Sequence, residues 1–208
     1  MTAVIVTTVN QYRMDRPTAD DRTGQRVAAV TVNGLQLRNA VMSRSPTPGM
    51  GLVRVVWGAA TGPTAVASYD AALAEANVHD YNLVPVSSVV PAGAAVEAVG
   101  EAPDLGPAGE RLTVVEGRAT VAPDEAGPAV ASLGWARDPD GPGLLYEAAG
   151  TDPDAVAARL KAGLEAGCDL REWAFEETGR RTVTAEAAGD AHTTAVVLAV
   201  YGESTPLF

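Results

Sequence analysis

Two neighbouring hydroxyls interrupt an apolar stretch of this chain. Residues 81–90 read Tyr-Asn-Leu-Val-Pro-Val-Ser-Ser-Val-Val, a strand in which Ser87 and Ser88 stand where β-branched residues would continue the pattern. Hydroxyls in a buried strand must both find hydrogen-bond partners. From spacing alone, harmless satisfaction of the pair is the plainest reading. Other residues that commonly do chemistry are scarce, because the 208 residues include one Cys, two His and one Lys. One Cys excludes a disulfide framework and any Cys-based zinc site, and two His argue against a His-rich metal centre. A Ser-His-Asp hydrolase would have to use His79 or His192. A lysine-bound cofactor would have to use Lys161, which lies among Arg159 and Glu165 on a polar helix face. Chemistry here points instead to carboxylates, hydroxyls or something less ordinary.

The elements that would position such groups can be read in outline. Residues 52–57 are apolar and β-branched, hence a strand, and 58–63 carry glycines and a proline, hence a turn. Residues 64–76 form an Ala-rich helix with Val66, Tyr69 and Leu73 at helical spacing, and Asp70 follows Tyr69. Asn77 to Asp80 break the helix, 81–90 form one strand, and Pro91 stops it. Residues 97–109, rich in Gly, Pro and acid, read as a loop. Strands are expected at 112–115, 118–121, 129–135 and 143–148, the last carrying Glu147. Asp152-Pro153 opens a second helix, Val156, Leu160 and Leu164 give it an apolar stripe, and Gly167 should end it. Residues 172–175, 181–185 and 194–201 read as closing strands. Upstream, 3–9 is a short β-rich run, 11–25 a polar loop, 27–37 a hairpin turning at Asn33-Gly34, and 43–51 a Pro- and Gly-rich linker. The chain therefore divides into an unassigned extension over 1–50 and a domain over 51–208 of the α+β class, with mixed strands and two helices.

Charge is uneven along the chain. The total is −11, but residues up to Ser87 carry 7 Arg and 6 acidic groups, and the remainder carries 8 basic and 20 acidic groups. An acidic surface opposes nucleic acid and anionic membrane and tolerates a cationic small molecule. No basic, then apolar, leader opens the chain and no long apolar run follows, so a cytoplasmic protein is expected.

The run Gly62-Pro63-Thr64, then Ser68-Tyr69-Asp70-Ala71-Ala72-Leu73, then Tyr81-Asn82-Leu83-Val84-Pro85-Val86-Ser87-Ser88-Val89-Val90-Pro91 resembles the pyruvoyl-dependent arginine decarboxylases. Gly143-Leu144-Leu145-Tyr146-Glu147 is similar to that family's strand ending in a catalytic Glu. The resemblance spans roughly residues 52–201. It implies a four-layer αββα sandwich, a zymogen that cuts itself between Ser87 and Ser88, and a homotrimer of cleaved protomers with sites at protomer boundaries. The Ser88 hydroxyl would attack the Ser87 carbonyl, turning amide into ester. β-Elimination would leave dehydroalanine, which hydrolyses to a pyruvoyl group and ammonia. That covalent group, derived from Ser88, would be the cofactor, with no metal and no pyridoxal phosphate. It would form a Schiff base with the substrate's α-amine and accept electrons as carbon dioxide leaves.

The same resemblance distributes the remaining roles. Asn82 matches an Asn that polarises the scissile carbonyl, although the residue alone reads as a loop-closing Asn bonded to backbone. Glu147 matches the acid that returns a proton to the α-carbon, and the apolar run around it predicts a carboxyl shielded from water. Asp70 matches the carboxylate that holds the substrate's distal cation, which suits a guanidinium because two parallel hydrogen bonds can form. Read without the family, Glu147 is a solvent-facing strand end and Asp70 a solvated helix face.

The match departs at Asn77-Val78-His79-Asp80, where family members usually carry glycines in the pocket wall. His79 becomes a substrate-binding candidate, and its bulk opens histidine, ornithine or aspartate as alternatives to arginine. An uncleaved, non-catalytic paralogue acting as a binding module is a further alternative. The leading expectation is decarboxylation of L-arginine to agmatine and carbon dioxide, a step of polyamine biosynthesis. Trp135 and Trp173 are expected in the core or at an interface, and Cys168 as an inert buried thiol.

Overall fold

The computed structural model describes residues 6–9 and 51–208; the expected hairpin at 27–37 and the linker before Gly51 lie outside the described residues. In chain order the elements are β1 (Val6–Val9), β2 (Leu52–Gly62), α1 (Ala65–Glu75), β3 (Asn82–Pro85), β4 (Val89–Val90), β5 (Ala95–Gly100) and β6 (Arg111–Val121). They continue with β7 (Ala129–Arg137), β8 (Gly143–Gly150), α2 (Pro153–Asp169), β9 (Glu177–Ala185) and β10 (His192–Tyr201). The strands form two sheets. The first has the order β1-β9-β7-β8-β4, and the second has the order β3-β6-β10-β2-β5. This is the α+β class expected, with two helices among the described residues.

Alternation along the strands builds the core between the sheets. Val55, Val115, Val197 and Ala199 of the second sheet meet Ala131, Leu133, Leu145 and Val183 of the first, all of them buried. The opposite face of the second sheet, with Val56, Leu112, Val196 and Leu198, is covered by Ala72, Leu73 and Ala76 around the end of α1. On the first sheet, α2 lays Val156, Leu160 and Leu164 inward at the expected spacing. Asp152 caps α2 by accepting from the Asp154 and Ala155 amides at 2.9 and 3.2 Å, and Thr64 caps α1 by accepting from Ala67 at 3.1 Å. No described helix is long and apolar enough to cross a membrane.

Several boundaries differ from expectation, each for a physical reason. The supposed turn at 58–63 is the second half of β2. Its glycines serve helix packing: a Cβ on Gly58 would lie 2.1 Å from the Ala72 carbonyl oxygen, and one on Gly62 would lie 2.5 Å from the Ser68 nitrogen. Gly167 does not end α2, which runs on to Asp169; it makes room for the Tyr146 ring, whose Cε2 would sit 2.7 Å from a Cβ there. The two strands expected at 112–115 and 118–121 are one continuous β6, because β10 pairs through Gly117 without interruption. The supposed loop at 97–109 begins with β5, which pairs in parallel with β2. No strand forms at 172–175, where Trp173 and Phe175 instead pack against each other at 5.8 Å.

The largest difference concerns the serines. Residues 81–90 are two strands, not one. β3 runs parallel to β6 at the edge of the second sheet, whereas β4 pairs antiparallel with β8 at the edge of the first. The chain crosses from one sheet to the other at Val86, Ser87 and Ser88.

Candidate active site

Hydrogen bonds on either side of Ser87 fix the crossing. Before it, the Val86 amide donates to the Val114 carbonyl of β6 at 3.0 Å, holding the chain to the second sheet. After it, the Leu145 amide of β8 donates to the Ser88 carbonyl at 2.8 Å, holding the chain to the first. Between these anchors the Val89 amide folds back onto the Ser87 carbonyl at 2.8 Å, closing a three-residue turn centred on Ser88. A relaxed strand has no such bond. The peptide between the two serines is therefore held at a bend and tied to a different sheet on each side.

Ser88 and Glu147 come together at this bend. The Ser88 hydroxyl donates to Glu147 Oε2 at 3.4 Å, although the two residues are 59 positions apart. The Val89–Leu144 pairing of β4 with β8 sets this register. Leu145, which holds the Ser88 carbonyl, stands two residues before Glu147 on the same strand. Gly117 of β6 lies opposite, and a Cβ there would come within 3.5 Å of the Glu147 Cβ. Glu147 is exposed in the single chain, contrary to the shielding its apolar strand suggested. Strand alternation presents it at an opening between the sheets rather than inside the core.

A tyrosine that the residue pattern did not single out completes this group. Tyr201, at the end of β10, donates its hydroxyl to the Val89 carbonyl at 3.0 Å. Burial, and then the negative charge of Glu147, push its phenol up to about 12, so it stays a donor through ordinary pH. Nothing in the spacing of an aromatic at the end of an apolar strand signals this role; only the fold, which brings the end of β10 within reach of β4, reveals it.

The other candidates lie elsewhere in the protomer. Asn82 sits at the start of β3 and donates to the Gly109 carbonyl at 2.6 Å, closing the 104–110 loop. It is not hydrogen-bonded to the Ser87 carbonyl, which the Val89 amide occupies. Asp70 is exposed on α1, which covers the face of the second sheet turned away from Glu147. His79 is exposed as well, with Nε2 3.6 Å from Asp80 Oδ1, and lines a polar cleft of about 270 Å³ with Asp80, Tyr81 and Asp104. Beside Asp70, Tyr69 lies under the Arg118 guanidinium at 4.2 Å. Burial and the adjacent Glu116 carboxylate push the Tyr69 phenol up to about 12. Among the described residues no three His, Cys, Asp or Glu side chains cluster as a metal site.

Similarity to known proteins is concentrated in the domain that carries this group. The family model described as pyruvoyl-dependent arginine decarboxylase matches residues 52–206. Two curated relatives, one from each of two strains of Halobacterium salinarum and both described as pyruvoyl-dependent arginine decarboxylase, are 53% identical to this chain over 157 residues. The match covers 75% of this chain and 97% of each relative.

Proposed function

The chain belongs to the pyruvoyl-dependent arginine decarboxylase family, and on that premise we propose that it cuts itself between Ser87 and Ser88 and converts L-arginine to agmatine and carbon dioxide. The observation that carries the reading is the Ser88 hydroxyl, 3.4 Å from the Glu147 carboxylate, at the bend where the chain passes between sheets. Cleavage needs the hydroxyl over the preceding carbonyl carbon, and anchoring both flanks favours it by limiting the freedom of the peptide that must adopt that geometry. Glu147 is the nearest base for the hydroxyl proton. Attack on the Ser87 carbonyl forms the ester. Loss of the Ser88 α-proton then expels the Ser87 carboxylate, and hydrolysis of the resulting dehydroalanine releases ammonia.

The residues around Ser88 suit the group that this reaction leaves. The carbonyl of residue 88 already has a donor in the Leu145 amide, and Glu147 lies beside the side-chain position. When formed, the pyruvoyl group supplies the electrophilic ketone and an electron sink. Glu147 then holds the proton that is delivered to the substrate's α-carbon.

We also propose that the protomers assemble as a homotrimer with this site at their boundaries. Val84, Val86 and Val89 flank the serines and are 38, 41 and 40% exposed, an apolar rim that favours cover by another protomer. Across such a boundary Asp70, His79 and Asn82, which stand apart from Ser88 within one protomer, become available to a neighbour's site. Asp70 would take the guanidinium, Asn82 would act as oxyanion donor, and His79 would shape the pocket wall. The packing order α1, second sheet, first sheet, α2 supports an αββα sandwich.

A denaturing gel with mass spectrometry tests the core of this reading. Processing should yield fragments of 87 and 121 residues, since 208 − 87 = 121, with a blocked amino terminus on the larger. Ser88→Ala should leave the chain whole. A wild-type chain still intact after long incubation would overturn the enzyme reading. Cleaved protein that forms no agmatine from arginine would overturn the substrate.

A further inference from the structure

The segment after the scissile bond is held by an unusually small ladder. β4 is two residues long and forms the edge of its sheet, and its Val89 is 40% exposed. Among the described residues its only strand partner is β8, through Val89–Leu144 and Val90–Gly143. So short a pairing leaves an edge strand free to shift. Two further hydrogen bonds restrain it. The Leu145 amide takes the Ser88 carbonyl at 2.8 Å, and the Tyr201 hydroxyl takes the Val89 carbonyl at 3.0 Å. Successive carbonyls are thus gripped from opposite sheets, since Leu145 belongs to β8 and Tyr201 to β10. The ring of Tyr201 packs against the core between the sheets, which fixes the hydroxyl in space.

We propose that Tyr201 is a positioning residue of the site, whose hydroxyl holds the Val89 carbonyl and thereby keeps residue 88 in register with Glu147. The proposal rests on the reading that Ser88 is the reacting residue. The Tyr201 hydroxyl is hydrogen-bonded to the Val89 carbonyl and not to the Ser88 hydroxyl or the scissile carbonyl, so it acts through the backbone of Val89. It serves twice, first by presenting the Ser88 hydroxyl for cleavage and later by holding the new amino terminus beside Glu147. A shift of about 1 Å at a reacting atom can cost as much as a hundredfold in rate, and a two-residue edge strand without this bond has room for such a shift.

Tyr201→Phe keeps the ring and removes only the donor. We expect its self-cleavage on a denaturing gel to slow about tenfold, within the range that small misplacements produce. Once processed, its kcat should fall by a similar factor, with KM for arginine changed less than twofold. The ¹³C signal of the Val89 carbonyl, labelled through valine, should move as that oxygen loses its donor. Parent-like cleavage and kcat in a folded Tyr201→Phe chain would overturn the positioning role and leave the reading of Ser88 intact. A parent chain that never cleaves would overturn both. If Tyr201→Phe does not fold, 3,5-difluorotyrosine at 201 retains the donor in a more acidic phenol. Glu147 is the charged group facing it, and activity should then fall on the alkaline side where the parent does not; an unchanged alkaline limb would sink the proposal.

Discussion

Gly117 and Glu147 face each other across the gap between the sheets, with little space for a larger residue on β6. A Cβ added at Gly117 would lie 3.5 Å from the Glu147 Cβ and 3.0 Å from the Ser132 carbonyl oxygen. The second contact is backbone, so an added Cβ requires a small shift of the sheets, and a branched side chain would in addition crowd Glu147. Gly117→Ala should fold and lose about 1 kcal/mol, as mild overpacking does. Gly117→Val should push the Glu147 carboxylate off the Ser88 hydroxyl and slow cleavage severalfold more than Gly117→Ala. Timed gels of both variants check this, and equal cleavage rates would show that the gap does not set the position of Glu147.

Asn82 offers a sharper division between structure and chemistry. Its bond to Gly109 makes Asn82→Ala slightly destabilising, by about 1 kcal/mol. As oxyanion donor it should matter far more, with cleavage slowed on the order of a hundredfold. Urea unfolding and cleavage kinetics on one preparation separate the two. Loss of stability with a parent cleavage rate would confine Asn82 to closing its loop.

Arg181 is buried, and among the described residues no carboxylate pairs with it. It is 7% exposed, its guanidinium lies 3.6 Å over the Trp57 ring, and its Nε has no hydrogen-bond partner. Burial lowers its pKa, the sign of a charge held out of water. A desolvated cation–π contact is worth about 2 kcal/mol, while removing a lone charge from water costs several. Arg181→Met should therefore leave stability unchanged or raise it by about 1 kcal/mol. Urea titration decides, and a loss above 2 kcal/mol would make the stacked cation a net stabiliser.

Alkaline pH should destabilise the fold through Tyr69. Its phenol is pushed from 10.0 up to about 12 by burial and by Glu116. The unfolded chain releases this proton first, so the folded state gives up stability as pH rises from 10.0 toward 12 and loses nothing by this route below that window. Tyr69→Phe should flatten this decline. Unfolding midpoints measured across the window check it, and an equally steep fall in the variant would assign the decline to other groups.

How much could be read beforehand follows from the range of each interaction. α1 and the start of α2 at Asp152 are local matters of spacing and capping, and they were legible. Gly58 and Gly62 were misread as a turn because a glycine needed for close helix packing has the same letter as one needed for a bend. Splitting residues 81–90 between two sheets depends on β6 and β8, far away in sequence, and no local pattern announces it. The serines could be singled out, and Glu147 through a resemblance, but their contact at 3.4 Å is a product of the β4–β8 register. Tyr201 lay beyond reach for the same reason, since its partner is a backbone carbonyl 112 residues away.

The strand pairings carry a thermodynamic consequence for a chain severed at Ser87. β1 pairs with β9, β2 with β10 and β5, and β3 with β6, so among the described residues no strand before the cut pairs with another strand before it. Every described sheet pairing of the first piece is made to the second. Within one protomer, the intact precursor needs no second polypeptide to complete its sheets. The severed protein is a complex of two polypeptides, so recovery after denaturation becomes second order and its melting point climbs with concentration. One broken peptide thus exchanges a unimolecular folding equilibrium for an association, and the precursor is the form able to reach this architecture by itself.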